Sequence, residues 1–374
     1  MDALGQPFSR RRFLLQTSHL ATAYAASRLL PASVRAQSAP RDPRIAESLL
    51  IDKGFAAVRR IGTGVYATVS DRTKGLQTRS NGGFIVGRDS ALLIESFQTP
   101  AGAAFQVEAL RMVSQVPILA AINTHFHHDH SLGGTYYGAN KIPLWAHAKV
   151  PQRMREIYSR IQATDSATFL APWQGRVRDA KTDLQRRHAQ SDIAAVTGMV
   201  EWLSQYALAL PNHPLDPAQM PMKVDLGGSS VVIETHPGHT DTDLIIRVPD
   251  QNVVFTGDLL VNAQYPTNIN GDPTPWRATL AQFASFDNDT IFVPGHGSYC
   301  GREGVALLRD VFDDIAAQSE KLFKAGVPLE DAIERYVVPD PWKSFGMLSW
   351  GFCIGRTLAQ LYTEWGKPST PLSY

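Results

Sequence analysis

The chain holds two cysteines, Cys300 and Cys353, among 374 residues. Two cysteines exclude a disulfide framework and leave no cluster for a structural Cys-zinc or iron–sulfur site, so packed thiols are expected at both positions. Charge of one sign is also missing, with 36 Lys and Arg against 35 Asp and Glu and a formal net charge of +1. Without a basic excess to neutralise phosphates, no nucleic-acid partner is expected. No apolar run reaches the roughly 20 residues of a membrane span, since Arg28 interrupts the one near the N-terminus. What remains is 44% hydrophobic and 19% charged, a composition for one large globular domain or two modest ones.

The N-terminus carries an address. Ser9-Arg10-Arg11-Arg12-Phe13-Leu14-Leu15 matches the twin-arginine export pattern, with a weakly apolar stretch to about Ala26 and small residues at Val34-Arg35-Ala36. Residues 1–36 are therefore read as a signal handed to the twin-arginine machinery, with cleavage after Ala36 and a periplasmic or otherwise exported destination. Its removal leaves 31 basic and 34 acidic residues, a net charge of about −3. That route carries folded proteins, often with a metal already loaded, which suits a metalloenzyme.

Residues 37–54 read as an extended leader, followed by one domain over 55–374. Apolar runs at Phe55–Ile61, Val65–Val69, Gly83–Val86 and Ala91–Glu95 are spaced by turn residues and predict strands. A helical spacing follows at Ala103–Val113, then an apolar strand at Pro117–Asn123. Residues 148–210 break this rhythm and predict a helical insertion, partly loop over Ala163–Gln190, that covers the active site. Strands resume at Val224–Leu226, Ser230–Thr235, Leu244–Val248, Val253–Phe255 and Ile291–Val293, with a helix at Trp276–Phe286. The C-terminal segment 304–366 predicts helices at Gly304–Ala325, Leu329–Tyr336 and Met347–Trp365. The succession suits an α/β chain with two sheets sandwiched between helices.

The strongest chemical signal is Thr124-His125-Phe126-His127-His128-Asp129-His130, directly after an apolar strand. Imidazole nitrogens and carboxylate oxygens suit zinc and related divalent ions. His125 and His127, two apart on extended backbone, leave on one face and can converge on one ion. Three later segments repeat a theme of apolar strand, glycine and ligand-type residue: Gly238-His239, Gly257-Asp258 and Gly295-His296. Convergent sites are built on such strand-end loops. His128 is read as pointing away, His147 and His236 as structural or supporting, and His188 and His213 as outside any ligand pattern.

The order His-x-His-x-Asp-His, Gly-His-Thr, Thr-Gly-Asp, Gly-His resembles the metallo-β-lactamase superfamily from about residue 55 to 300. The resemblance implies an αββα four-layer sandwich with two divalent metal ions, zinc in the first instance, with iron or manganese allowed by the same donors. It implies that His125, His127 and His239 hold one ion, that Asp129, His130 and His296 hold the other, and that Asp258 bridges them. It offers Asn262 and Tyr265 as substrate contacts. True β-lactamases of this fold carry Cys or Ser in place of Asp258, and the chain has no Lys shortly after it. The Cys-Gly-His-Glu-Tyr segment usual in glyoxalase II is replaced here by Pro294-Gly295-His296-Gly297-Ser298-Tyr299.

Two divalent ions bring +4, which Asp129 and Asp258 offset by −2, so a hydroxide between the ions is favoured as nucleophile. Asp129 is then the residue to orient water or shuttle its proton. The expected reaction is hydrolysis of a small-molecule ester, lactone, thioester or amide. The alternatives are a mononuclear iron enzyme that oxidises persulfides and a true β-lactamase; a binding protein that had lost its chemistry would be expected to lack ligands, and none of the seven is missing.

Overall fold

Long β-branched runs, too apolar to face water on either side, build the centre of this protein, and the architecture follows from where their two faces go. A computed structural model describes residues 49–366, which lie in one compact unit. The twin-arginine segment 1–36 and the leader as far as residue 48 lie outside the described residues.

An eight-stranded sheet runs in chain order through β1 (Leu49–Asp52), β2 (Ala56–Gly62), β3 (Val65–Ser70), β4 (Gly82–Val86), β5 (Ala91–Ile94), β6 (Ile118–Ile122), β7 (Leu144–His147) and β8 (His213–Leu215). A five-stranded sheet takes β9 (Met222–Asp225), β10 (Ser230–Thr235), β11 (Leu244–Val248), β12 (Val253–Val261) and β13 (Ile291–His296), in the order β13-β12-β11-β10-β9. Alternation along each strand separates the layers. Leu92, Ile94 and Ile122 of the first sheet meet Val231, Ile246, Phe255 and Val293 of the second in one inter-sheet core. The opposite residues of the same strands face helices. Leu93 and Ala121 pack on Phe105 and Leu110 of α1 (Pro100–Val113). Ile245, Val254 and Phe292 pack on α8 (Pro273–Phe283) and α9 (Arg302–Lys324). The result is the four-layer αββα sandwich that the sequence predicts.

Between α1 and the insertion come two short helices, α2 (His128–Ser131) and α3 (Gly134–Ala139). The insertion is more helical than expected. After α4 (Val150–Met154), a π-helical stretch (Arg155–Ser159) and α5 (Arg160–Ala163), the expected loop is instead α6 (Ser166–Asp179) and α7 (Asp183–Gln205). Side-chain caps start both helices, with Asp165 accepting from the Thr168 amide and Thr182 from the Gln185 amide. The last residues of the expected leader are also recruited, because Leu49–Asp52 pairs antiparallel with β2 as an edge strand. At the C-terminus α10 (Leu329–Arg335) precedes a π-helical stretch at Gly351–Gly355 and α11 (Arg356–Glu364), so the helix expected from Met347 begins later. Cys300 and Cys353 are both buried and unpaired, as expected of packing thiols.

Candidate metal centre

β6 ends at Ile122, and the chain turns out of the sheet at Thr124 before α2 begins at His128. That turn presents His125, His127, Asp129 and His130 within six residues of one another. The second sheet brings the remaining three. His239 follows β10 in a loop held by Asp243, whose carboxylate accepts from the Thr240 amide (2.7 Å) and hydroxyl (2.6 Å). Asp258 lies within β12, just after Gly257, whose φ of +52° and place against Thr124 leave no room for a side chain. His296 ends β13, and Asn81 pins its loop by donating to the carbonyls of Pro294 (2.9 Å) and Gly297 (2.7 Å).

The seven side chains converge. Three groups each have their ligand atoms within 4.8 Å of one another: His125, His127 and His239; His125, His130 and Asp258; Asp129, His130 and His296. His239 Nε2 sits 2.8 Å from His127 Nδ1 and 3.5 Å from Asp258 Oδ2. Asp258 Oδ1 lies 3.1 Å from His130 Nε2, while Oδ2 lies 3.3 Å from His296 Nε2, so this carboxylate faces both halves of the cluster. Asp129 Oδ2 is 3.3 Å from the same His296 nitrogen.

Burial this deep asks for partners. His125 Nε2, His130 Nε2 and Asp258 Oδ1 are buried without an aligned hydrogen bond, and all three point into the cluster. An orphaned imidazole nitrogen beside a carboxylate is what a divalent cation satisfies, and the nitrogen and oxygen donors suit zinc, iron or manganese alike. The residues fit a metal centre.

Supporting contacts orient the ligands from behind, which fixes their tautomers. His127 Nε2 donates to Asn270 Oδ1 (3.0 Å), leaving Nδ1 directed inward. His125 Nδ1 donates to Thr124 Oγ1 (3.0 Å), which donates to Glu95 Oε1 (2.5 Å). The same Glu95 oxygen is 3.0 Å from His130 Nδ1. Trp276, wholly buried, donates its indole N–H to the Leu259 carbonyl (2.8 Å) and sets its ring 5.2 Å from that of His239.

Electrostatics divide the cluster in two. Burial, reinforced for His125 by its imidazole neighbours, holds His125 well below the usual histidine range, lowers His127 and brings His239 to about 3. Burial alone would lower His130 and His296 as well. Glu95 and Asp258 instead hold His130 well above the usual value, and Asp258 with Asp129 raises His296. Burial would raise the two aspartates, but the adjacent imidazoles keep both well below the usual carboxylate range.

The other expectations divide. His128 borders the cleft but joins none of the three donor groups, as expected, and its Nδ1 lies 3.1 Å from Gln98 Oε1. His147 and His236 serve the fold, His147 accepting from the Lys149 amide (3.1 Å) and His236 facing Glu234 (3.1 Å). The expected substrate contacts Asn262 and Tyr265 require correction. Asn262 donates to the Ser298 carbonyl (3.0 Å), and the buried Tyr265 hydroxyl faces Tyr336 (3.5 Å) in the C-terminal helical cluster; neither lines the cleft over the metal ligands. Two supporting residues escaped the sequence reading. Glu95, an acid ending an otherwise apolar strand, was a legible signal; Asn270, in a polar turn, gave none.

The ligand side chains open onto a cleft. His127, Asp129, His239, Asp258 and His296 form its floor, and Ile157, Tyr158, Val196, Met199, Leu348 and Phe352 an apolar wall. Residues of the insertion, among them Ile157, Tyr158, Val196 and Met199, thus line the cleft. Tyr158 donates to the Phe126 carbonyl (3.1 Å), and Arg153 and Lys149 pair with Asp241 beside the His239 loop (2.7 and 3.2 Å).

Residues 76–296 match the family described as the Metallo-beta-lactamase superfamily, and the chain belongs to it. It is 32% identical over 121 residues to a hydroxyacylglutathione hydrolase of Fuscovulum blasticum, covering 32% of this chain and 47% of that one. Over 154 residues it is 26% identical to a metallo-beta-lactamase type 2 of Bacteroides fragilis, covering 40% of this chain and 60% of the relative. These stretches, like the 38% spanned in other curated relatives, take in less than two thirds of the relatives' lengths. Among solved structures, a double mutant of the sec-alkyl sulfatase PisA1 superposes with a TM-score of 0.56 at 16% identity, over 83% of this chain and 50% of that one. That likeness is one of fold.

Proposed function

We propose that this chain is an exported, dinuclear metal-dependent hydrolase of small-molecule esters, lactones, thioesters or amides. The observation that carries the reading is the convergence of seven ligand-type side chains from two sheets, with buried donor atoms directed inward. His125, His127 and His239 would hold one ion and Asp129, His130 and His296 a second, with Asp258 between them; zinc is the proposed metal. Such ions, when bound, polarise a substrate oxygen and lower the pKa of water from about 16 to about 7.

The chain's own groups do the rest. Asp129, its carboxylate partly exposed to the cleft, is placed to orient water and carry away its proton. Glu95 and Asn270 hold the imidazoles in register, and the apolar wall keeps bulk water from the reacting bond. The names of the relatives, a metallo-beta-lactamase and a hydroxyacylglutathione hydrolase, agree with bond hydrolysis as the shared chemistry. Export by the twin-arginine route and a periplasmic destination rest on residues 9–15 and form part of the proposal.

The test is a panel of chromogenic esters, lactones, thioesters and β-lactams, run with wild type, Asp129→Ala and Asp258→Ala. At least one class turns over in wild type, chelator abolishes that turnover, and both variants lose it. Equal rates in all three proteins would overturn the mechanism. Fractionation of cells expressing the chain with Arg11 and Arg12 both changed to Lys tests export: the protein stays in the cytoplasm.

A further inference from the structure

One face of α7 carries two kinds of side chain. His188, Ser191, Asp192, Ala195, Val196 and Met199 recur at three- and four-residue intervals, which sets them in a single stripe. The later half of the stripe, Ala195, Val196 and Met199, lines the cleft. The earlier half meets the C-terminal segment, whose Leu348 and Phe352 line the same cleft. The two walls therefore share one joint, about a helical turn back from the cleft.

At that joint three successive amides open the helix that runs through Gly351–Gly355 into α11, and α7 supplies the acceptors for two of them. The Trp350 amide donates to Ser191 Oγ (3.1 Å), the Gly351 amide to Asp192 Oδ1 (2.7 Å) and the Phe352 amide to Ser349 Oγ (3.1 Å). First-turn amides have no partner within their own helix, and a carboxylate beside them also meets the positive end of the helix dipole. Asp192 is 1% exposed, with Arg176 Nη2 3.3 Å from its other oxygen. A Cβ at Gly351 would fall on this carboxylate, so glycine is what lets it reach the backbone. His188 extends the joint, stacking on Trp350 with ring centroids 4.0 Å apart and its Nδ1 2.9 Å from Glu334 Oε2.

We propose that Asp192 is a positioning residue for the candidate active site: by capping the C-terminal helix from α7, it fixes how far Leu348 and Phe352 stand from Val196 and Met199, and so sets the shape of the cleft. Its bearing on turnover rests on the hydrolase reading above, and the experiment separates the two. Metal-loaded protein is given 4-nitrophenyl octanoate and 4-nitrophenyl acetate. Asp192→Ala lowers the octanoate-to-acetate ratio of kcat/KM by about fourfold or more, the worth of one methylene contact. The loss falls mainly on the KM of the octanoate, and bound metal stays at the wild-type content. Asp192→Asn, which keeps an acceptor for the Gly351 amide, retains more of the ratio. Gly351→Ala strikes the same contact from the other side and lowers the ratio, but adds little to Asp192→Ala, because one contact is lost once. Glu201→Gln, at an exposed position of α7, keeps the wild-type ratio. A wild-type ratio in folded Asp192→Ala, or an equal fall in Glu201→Gln, overturns the inference.

Thiol labelling gives a readout independent of turnover. Cys353 is wholly buried two residues past Gly351, and the only other cysteine is Cys300. With the label located by peptide mass, dithiodipyridine modifies Cys353 about tenfold faster or more in Asp192→Ala and in Gly351→Ala than in wild type, the local opening gained when a charge-assisted hydrogen bond is lost. Equal rates in all three proteins overturn the cap. By calorimetry, the gain in affinity from butanamide to octanamide falls in Asp192→Ala; an unchanged gain overturns the link to the cleft. If Asp192→Ala does not fold, Gly351→Ala carries the same three readouts. Absence of turnover on both esters would count against the hydrolase reading, while labelling and calorimetry still decide the role of Asp192.

Discussion

Glu95 is the residue whose replacement tests the construction of the metal centre most directly. It is buried, takes φ +76° just past β5, and serves three groups at once: the Thr124 hydroxyl, the Thr124 amide (3.3 Å) and His130 Nδ1. Glu95→Gln keeps the volume and removes the charge. The neutral amide keeps one acceptor oxygen to share between Thr124 and His130 and no longer draws the His130 Nδ1 proton with a full charge. Loss of such an outer partner costs about 10- to 100-fold in metal affinity, equivalent to roughly 1.4 to 2.8 kcal/mol. The effect should be largest for the Asp129–His130–His296 group, which Glu95 touches directly, and smaller for the group containing His125, reached through Thr124. Competition against a chromogenic chelator, resolving the first and second equivalents of zinc, measures both. Unchanged affinity for both equivalents in folded Glu95→Gln would refute the reasoning.

The divided electrostatics predict an order of metal loss with pH. His125, His127 and His239 have lowered pKa values and stay neutral and ligating as acid is added, whereas His130 and His296, raised by their carboxylates, must release protons before an ion binds. Affinity at the second group is therefore present above this raised range and lost first as pH falls; metal content after dialysis at stepped pH shows one equivalent leaving before the other, and simultaneous loss contradicts the division. A Cβ at Gly295 would fall on Asp258 Oδ1, so Gly295→Ala displaces that carboxylate, lowers metal content and costs about 1–3 kcal/mol of stability. Gly198→Ala, in α7 with open space around it, is the control: denaturant unfolding should show it stabilising by about 0.5–1 kcal/mol.

The sandwich was legible because its strands bury both faces. Runs such as Ala91–Ile94 and Val253–Phe255 are apolar at every position and read directly as central strands. The metal ligands were legible because coordination restricts residue type and strand ends restrict spacing. The rest depended on contacts that neither local pattern nor composition encodes. Arg72 and Arg79 line the cleft from a loop that reads as an ordinary polar turn, and only its pairing with the Asp129 and Gly295 backbones carries them there. α6 holds Pro172 and Gly175 inside it and the start of α7 is mostly polar, so periodicity did not mark either helix; their side-chain caps are what start them. Asn262 and Tyr265 lay close in sequence to Asp258, but β12 runs on to Val261 and their side chains are taken up by the Ser298 carbonyl and by Tyr336.

Each of the three donor groups mixes residues from the two halves of the chain. His125, His127, Asp129 and His130 are synthesised more than a hundred residues before His239, Asp258 and His296 complete them. A partly made chain therefore offers only fragments of a coordination shell, and firm capture of a cation must wait until the sheets have docked. Once in place, the ion rivets one sheet to the other, so that occupancy and the integrity of the whole sandwich rise and fall together.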